Sequence, residues 1–246
     1  MANKRVRALT IDGELTWCSA EPENRGQGNC SHIGHYKNEA VQLACQEEFA
    51  KTELKAVTNS TRGQELSVRQ ASAEDITSPQ VLLFELSEDR DWVVRSRVAE
   101  NPSAPIDALN LLSRDEKMFV REAVAKNRST SAEILARLSR DEELVTRLSV
   151  AKHPNTSPET LHKLSKDYHP DVRHRVASHP NAPEGALLAL MRERILMVDV
   201  RIAGNPSATP EILRELGKSF LGEVREAVAQ NPNTPAEVLF DLEMGQ

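Results

Sequence analysis

An internal repeat constrains the fold of this chain more than any other feature. The string Val-Ala-Glu-Asn-Pro at residues 98–102 returns with small changes at residues 124, 150, 176, 202 and 228, which is a constant step of 26. Two leucine columns keep the same step, namely Leu83, Leu109, Leu135, Leu161, Leu187, Leu213 and Leu239, and Leu86, Leu112, Leu138, Leu164, Leu190, Leu216 and Leu242. Six full copies run from Pro79 to Thr234, and a partial seventh follows. A step of this length predicts a solenoid, in which each copy packs against its neighbours.

Each copy reads as two short helices separated by tight turns. Apolar residues are three and four apart at Ala108, Leu109 and Leu112, and four apart at Val120 and Val124, so each helix carries one narrow apolar stripe. Asn-Pro or His-Pro ends most copies of the second helix, because proline forces the preceding residue out of the helical region. Threonine followed three residues later by glutamate, at positions 130, 156 and 234, predicts capping boxes. Proline recurs and no period-two run is sustained, which argues against a sheet in the repeats.

Composition narrows the class of protein further. Aromatic residues make up 4% of the chain, which suits a thin core of small aliphatic side chains between closely stacked helices. The net charge of −6 is spread along the sequence, so binding to the phosphates of nucleic acid is not predicted. No apolar run is long enough to cross a bilayer, and we expect no membrane span and a soluble, cytoplasmic protein. The sequence has no phosphate loop and no hydrolase or zinc-protease motif, so an enzyme is not predicted.

Two polar columns also keep the step of 26. The acidic column is Asp89, Asp115, Asp141, Asp167 and Glu193, and the arginine column is Arg95, Arg121, Arg147, Arg173 and Arg225, with Asp199 as the exception. Under a functional interpretation, the arginines form a binding surface for an acidic partner. Under a structural interpretation, which we favour, each acid caps a helix and each arginine bonds an acid or a carbonyl of the neighbouring repeat.

A segment of different composition precedes the repeats and holds all three cysteines, Cys18, Cys30 and Cys45. A module of this size has too little core to fold without a staple, and clustered cysteines in a reducing compartment are more often metal ligands than disulfides. The Cys-x11-Cys-x14-Cys spacing matches no common metal motif, so three ordinary core thiols are the alternative. If a metal binds, His32, His35 or an exogenous group would supply the fourth ligand. We therefore predict a cysteine module over 1–60, a degenerate capping half-repeat over 61–78 and a solenoid over 79–246.

The repeat resembles the leucine-rich repeat variant family of bacteria over residues 79–246. The motif that carries the resemblance is Val-Arg-x-x-Val-Ala-x-Asn-Pro, followed by Pro-x-x-x-Leu-x-x-Leu. The cysteine segment is similar in position to the iron-sulfur domain of those proteins. The resemblance implies an all-α, right-handed superhelix of alternating α- and 3-10 helices with no sheet. It also implies an N-terminal 4Fe-4S cluster with Cys18, Cys30 and Cys45 as thiolate ligands, although the family's cluster takes four cysteines and this chain has three.

Three functions follow as hypotheses. The first is an iron-sulfur repeat scaffold that binds an unidentified protein partner, with binding linked to the redox state of the cluster. The second is an electron-transfer or redox-sensing protein, in which the solenoid docks the cluster. The third is a zinc-stapled adaptor with Cys3His ligation, which is colourless where a 4Fe-4S protein is brown.

Overall fold

The computed structural model describes residues 65–244 and the backbone of two strands, residues 5–9 and 15–19. The chain divides into two compact units, Met1–Glu65 and Leu66–Gln246. In the first unit, β1 (Arg5–Leu9) and β2 (Leu15–Ser19) pair in antiparallel register. The absence of a sheet is expected of the repeat superhelix, and this unit precedes the repeats. Its sequence lies outside the repeat, and the Asp-Gly dipeptide between the two strands is typical of hairpin turns. The predicted boundaries at residues 60 and 78 stay a prediction.

The second unit is helical throughout its described residues. Its fourteen α-helices between residues 66 and 244 are α1 (Leu66–Glu74), α2 (Gln80–Leu86), α3 (Trp92–Glu100), α4 (Ile106–Leu112), α5 (Met118–Lys126), α6 (Ala132–Leu138), α7 (Leu144–Lys152), α8 (Pro158–Leu164), α9 (Pro170–Ala177), α10 (Glu184–Met191), α11 (Leu196–Ala203), α12 (Pro210–Gly217), α13 (Gly222–Gln230) and α14 (Ala236–Met244). Even-numbered helices are the first helix of a repeat, and odd-numbered helices are the second. No helix of the described part is long and apolar enough to cross a membrane.

The expected alternation of α- and 3-10 helices is wrong for residues 65–244, where both helices of every repeat are α-helices. Even the short α2 closes i to i−4 bonds, such as that from the Leu83 N–H to the Pro79 carbonyl at 3.0 Å. The tighter i to i−3 bonds lie at the helix ends, as from the Asn101 N–H to the Val98 carbonyl at 3.1 Å. The right-handed sense of the superhelix stays a prediction.

Stacking of the repeats forms one continuous core. Second helices pack on second helices, as α3 does on α5, and first helices pack on first helices, as α2 does on α4. Both leucine columns are buried from Leu83 to Leu216, with no member more than 5% exposed. In α14, which has no following repeat among the described residues, Leu239 and Leu242 are only half-buried. Each repeat therefore depends on the next one to cover its leucines, as the constant step predicts.

The threonines predicted to cap helices have a different role. The hydroxyl groups of Thr130, Thr156 and Thr234 each donate to the carbonyl six residues earlier, at 2.5 to 2.6 Å. The helix start is capped one residue later, where the Ser131 hydroxyl accepts from the Ile134 N–H. The capping-box prediction is therefore wrong at these positions. A threonine here faces the unpaired carbonyls at the end of the preceding second helix and satisfies one of them.

Candidate functional site

The residues predicted to hold a metal lie at or beyond the limit of what the structure describes. Cys18 is in β2, where its backbone pairs with that of Val6. Cys30, Cys45, His32 and His35 lie outside the described residues. Within the described part, no group of three or more metal-binding side chains comes together. The ligand set of a cluster or a zinc ion therefore stays a prediction.

The arginine column forms a ladder of ion pairs between neighbouring repeats. In each rung, the arginine Nε donates to a carboxylate of the next repeat at 2.5 to 2.8 Å, and a second nitrogen donates to the same group. The rungs are Arg69–Asp89, Arg95–Asp115, Arg121–Asp141, Arg147–Asp167 and Arg173–Glu193. In four of these rungs, from Arg95 to Arg173, the Nη1 group also donates to the carbonyl six residues earlier. These bonds occupy the guanidinium groups with partners inside the solenoid. The structural interpretation of the column expects this geometry.

The four aspartates of the acidic column also accept from the backbone N–H two residues later, in the turn that precedes the second helix. One oxygen of Asp115 accepts from Arg95 Nε while the other accepts from the Lys117 N–H at 2.8 Å. The bond to Asp115 raises the pKa of Arg95, and the bond to Asp141 raises the pKa of Arg121. An acidic partner would have to displace these bonds before it could bind the arginines. Arg225, the last member of the column, donates to the Ser219 carbonyl at 2.9 Å.

The ladder is interrupted in the fifth repeat. Asp199 stands in the arginine column, and Ser219 stands in the acidic column of the next repeat, where the other rungs have a carboxylate. Oδ1 of Asp199 is buried and has no hydrogen-bond partner in the described residues. Burial raises the pKa of this carboxyl group, and the charge of Arg194 opposes the shift. Arg194 itself adopts a left-handed backbone conformation, with φ of 53°. The sequence showed the missing arginine but not the unsatisfied carboxylate that replaces it.

A second ladder runs through the asparagine column at the end of each second helix. Nδ2 of Asn127 donates to the Ala99 and Asn101 carbonyls, at 2.7 and 2.9 Å, and so ties its repeat to the previous one. His153 and His179 occupy this column in the next two repeats. Nε2 of His153 lies 2.9 Å from the Asn127 carbonyl, and Nε2 of His179 lies 3.0 Å from the His153 carbonyl. Each histidine thus makes one hydrogen bond to the previous repeat, where an asparagine makes two.

The histidine geometry fixes a neutral tautomer. Nδ1 of His153 accepts from the Asn155 N–H at 3.1 Å, and Nδ1 of His179 accepts from the Asn181 N–H at 3.0 Å. An accepting Nδ1 carries no proton, so the proton lies on Nε2, where it is donated to the carbonyl. Both side chains are buried, and desolvation lowers the pKa of each. Protonation would place two charges in neighbouring repeats and remove both Nδ1 acceptors.

Exposed apolar side chains recur near the starts of the second helices. One large side chain in each of six successive repeats lies within two residues of that start, and we call the set the apolar row: Trp92, Phe119, Val145, Tyr168, Met197 and Phe220. Their exposed fractions run from 38% for Trp92 to 89% for Phe220. The Trp92 and Phe119 ring centroids are 5.4 Å apart. The Tyr168 ring lies 4.5 Å below the Arg147 guanidinium. These residues differ in type, and their positions within the repeat differ by up to three residues. Aligning the repeats by their step of 26 therefore does not reveal them.

A groove of about 370 Å³ adjoins the first two members of the apolar row. It lies between α3 and α5 and is lined by Trp92, Phe119, Arg97 and Glu122, among others. Its charged side chains bond one another or neighbours: Arg97 pairs with Glu74 and Glu100, and Lys126 pairs with Glu122. The groove therefore combines apolar side chains with charged ones whose charges balance.

The comparisons with known proteins concern the repeats. The family described as leucine rich repeat variant matches residues 222–242. A solved structure described as a leucine-rich repeat variant with a novel repetitive protein structural motif has a TM-score of 0.54 to this chain at 23% sequence identity. The alignment covers 80% of this chain and 83% of that one. A search of curated proteins finds no match.

These findings agree with the stacked helices described above. Both name repeat proteins, and neither indicates a catalytic family. At 23% identity, the likeness to the solved structure shows a shared fold. The helical repeats of this chain therefore share the fold of that repeat structure, and residues 222–242 match the leucine rich repeat variant family model.

Proposed function

We propose that the solenoid is a protein-binding scaffold and that the apolar row is its main contact surface. The observation that carries this proposal is the recurrence of the row from Trp92 to Phe220, one member in each of six successive repeats, with the first two rings in contact. Contiguous apolar surface on a folded protein is a feature of interaction sites. Tryptophan and tyrosine are also the residues most enriched among the side chains that dominate binding energy. The buried leucine columns hold each repeat in place, and four of the six side chains of the row lie on the packed second helices. Tyr168 and Phe220 lie in the turns just before theirs.

Capture and cross-linking with the full chain test the scaffold proposal. The parent protein and the variant Trp92→Ala/Phe119→Ala would be immobilised and exposed to an extract of the source cells, and cross-linked sites would be mapped. We expect a protein that the parent captures and cross-links within the apolar row, and that the variant captures at least about tenfold less, since large aromatic side chains at interfaces contribute about 2 kcal/mol or more. The matched control is Val81→Ala/Ile106→Ala, which removes two similarly exposed apolar side chains from first helices.

Two results would contradict the proposal. One is a parent that captures nothing which the aromatic variant does not capture equally. The other is a control variant that loses the captured protein to the same extent, because the contact would then not depend on the row.

We propose further that the first unit carries a 4Fe-4S cluster and that partner binding is linked to its redox state. The support is the resemblance of the cysteine segment and the chemistry of its donor set, since thiolates are the ligands of such clusters. Cys18, Cys30 and Cys45 supply three of the four ligands required, so His32, His35 or an exogenous group would complete the set. When bound, the cluster would supply one-electron redox chemistry.

Iron, zinc and acid-labile sulfide analysis of anaerobically purified protein tests the cluster proposal. We expect a brown protein containing iron and sulfide, with cluster content lost in the Cys18→Ser, Cys30→Ser and Cys45→Ser variants. A colourless protein that contains zinc would favour the adaptor hypothesis instead. If all three cysteines can be replaced without loss of metal, the cysteines do not bind one. Capture repeated with oxidised and reduced protein tests the redox link, which predicts different yields.

A further inference from the structure

A cluster of positive charge lies where the first helices α4, α6 and α8 end. We call it the cationic patch, and its members are Arg114, Arg137, Arg140, Lys163 and Lys166. Arg137 is half-buried and the others are exposed. No carboxylate among residues 65–244 forms a salt bridge with any of them; the salt bridges of this region lie in the arginine ladder instead. Cations without a salt bridge thus recur at this end of three successive repeats.

Arg137 and Arg114 form the most crowded part of the patch. Nη2 of Arg137 reaches back to the previous repeat, where it donates to Asn110 Oδ1 at 2.7 Å and to Ser113 Oγ at 2.5 Å. Both acceptors are uncharged, and Arg114 follows Ser113 directly in the chain. Nε of Arg137 is buried and has no partner in the described residues. Burial, followed by the charge of Arg114, lowers the pKa of Arg137, and the smaller effect of Glu133 opposes them. The two guanidinium groups therefore repel each other and leave one donor unsatisfied.

The repeat places a second pair of cations next to the first. Arg140 lies 26 residues after Arg114, and Lys163 lies 26 residues after Arg137. Lys166 follows Arg140 by the same step. A single cation near a helix C-terminus is favoured by the helix dipole. The dipole gives no reason to place two cations at the same helix end, because they repel each other. Asp115 and Asp141 are already bound by the arginine ladder. Glu133 and Glu159, one helical turn before Arg137 and Lys163, interact with them electrostatically but form no salt bridge with them.

We propose that the cationic patch binds an acidic segment of a protein partner, whose carboxylates would lie between the paired cations. The proposal rests on the scaffold function above and names the chemistry of its partner. Neighbouring repeats stack about 10 Å apart, close to one three-residue turn of a polyproline II peptide at about 3.1 Å per residue, in which every third side chain lies on the same face. A carboxylate at every third residue therefore matches one pair of cations per repeat. Duplex DNA carries one charge per about 1.7 Å of its axis, a density that the patch does not match and that the net charge of −6 repels.

Fluorescence anisotropy at low salt tests the proposal with the full chain. The probe is a fluorescein-labelled peptide of repeated Glu-Ser-Ser triplets, and the comparison probe is a labelled oligothymidylate. We expect saturable binding of the peptide that the variant Arg114→Gln/Arg140→Gln weakens about tenfold, as the loss of two exposed charge contacts implies. Both side chains are exposed and form no described ion pair, so circular dichroism should show an unchanged fold.

The matched control is Lys152→Gln/Arg175→Gln. It removes two exposed cations from the last turns of two second helices and changes the net charge by the same amount. Peptide binding in the control within about twofold of the parent would support the patch. No saturable binding by the parent, an equal loss in the control, or tighter binding of the oligothymidylate than of the peptide would each overturn the proposal. If the peptide fails while capture through the apolar row succeeds, the scaffold function stands without this surface; if capture fails, the scaffold function itself is contradicted.

Discussion

The histidines in the asparagine column should make the solenoid sensitive to acid. His153 and His179 are neutral in the folded protein, with Nε2 donating and Nδ1 accepting, and desolvation lowers the pKa of both below 6.5. A lowered pKa means that the unfolded chain binds protons more readily than the folded chain does. Stability from these residues is therefore fully present above about pH 6.5 and is lost as the pH falls below it.

The perturbation that tests this reasoning is His153→Asn/His179→Asn, which restores the residue found at this position in the other repeats. Asn127 and Asn205 make two Nδ2 bonds to the previous repeat where each histidine makes one. One regained bond per site contributes about 0.5–1.5 kcal/mol, and the smaller side chain offsets part of this through lost packing. At pH 8 we therefore expect the free energy of unfolding of the double variant to lie within about 1 kcal/mol of the parent.

Below pH 6.5 the two proteins should diverge. Each histidine contributes a slope of at most about 1.4 kcal/mol per pH unit, so the pair contributes at most about 2.7 kcal/mol per unit. Urea unfolding followed by circular dichroism from pH 8 to pH 5 measures the difference. The double variant should lose less stability on acidification than the parent. His162→Asn is the control, because His162 is half-buried on a first helix outside the column. Parallel loss of stability in the parent and the double variant would refute this account.

Three further predictions concern the buried polar side chains of the repeats. Asp199→Arg/Ser219→Asp completes the interrupted rung and removes a buried, unpaired carboxylate oxygen, so urea unfolding should show a gain of about 1–3 kcal/mol; Asp199→Arg alone should gain less. Thr130→Val removes a fully buried hydroxyl that donates at 2.6 Å and should cost about 1–2 kcal/mol in the same assay, whereas a neutral result would mean that the bond is unimportant. Arg147→Gln breaks a rung whose side chains are 4% and 6% exposed and should cost about 3 kcal/mol or more. Arg173→Gln breaks a rung that is 20% and 26% exposed and should cost less; the reverse order would contradict the role of burial.

The parts of the fold that follow from the period were predictable. The leucine columns are buried and the helices end at Asn-Pro because both depend on local spacing and backbone sterics. The same period did not reveal whether the short helices are α- or 3-10 helices. The alternation implied by the family resemblance is wrong, because the described helices are α-helices. It also gave no information on the strand pair of residues 5–9 and 15–19, which lies outside the repeat.

The sequence by itself determined that identical units must stack, since no unit of two short helices can bury its own leucines. It also fixed which columns are polar. Only the tertiary structure decided what those columns do, because the partner of a side chain in the neighbouring repeat depends on how the repeats stack. Stacking joins Arg95 to Asp115, leaves Oδ1 of Asp199 unsatisfied and brings Arg137 next to Arg114. The sequence alone does not show whether a column of cations forms ion pairs. The packed structure shows that, among residues 65–244, the arginine ladder does and the cationic patch does not.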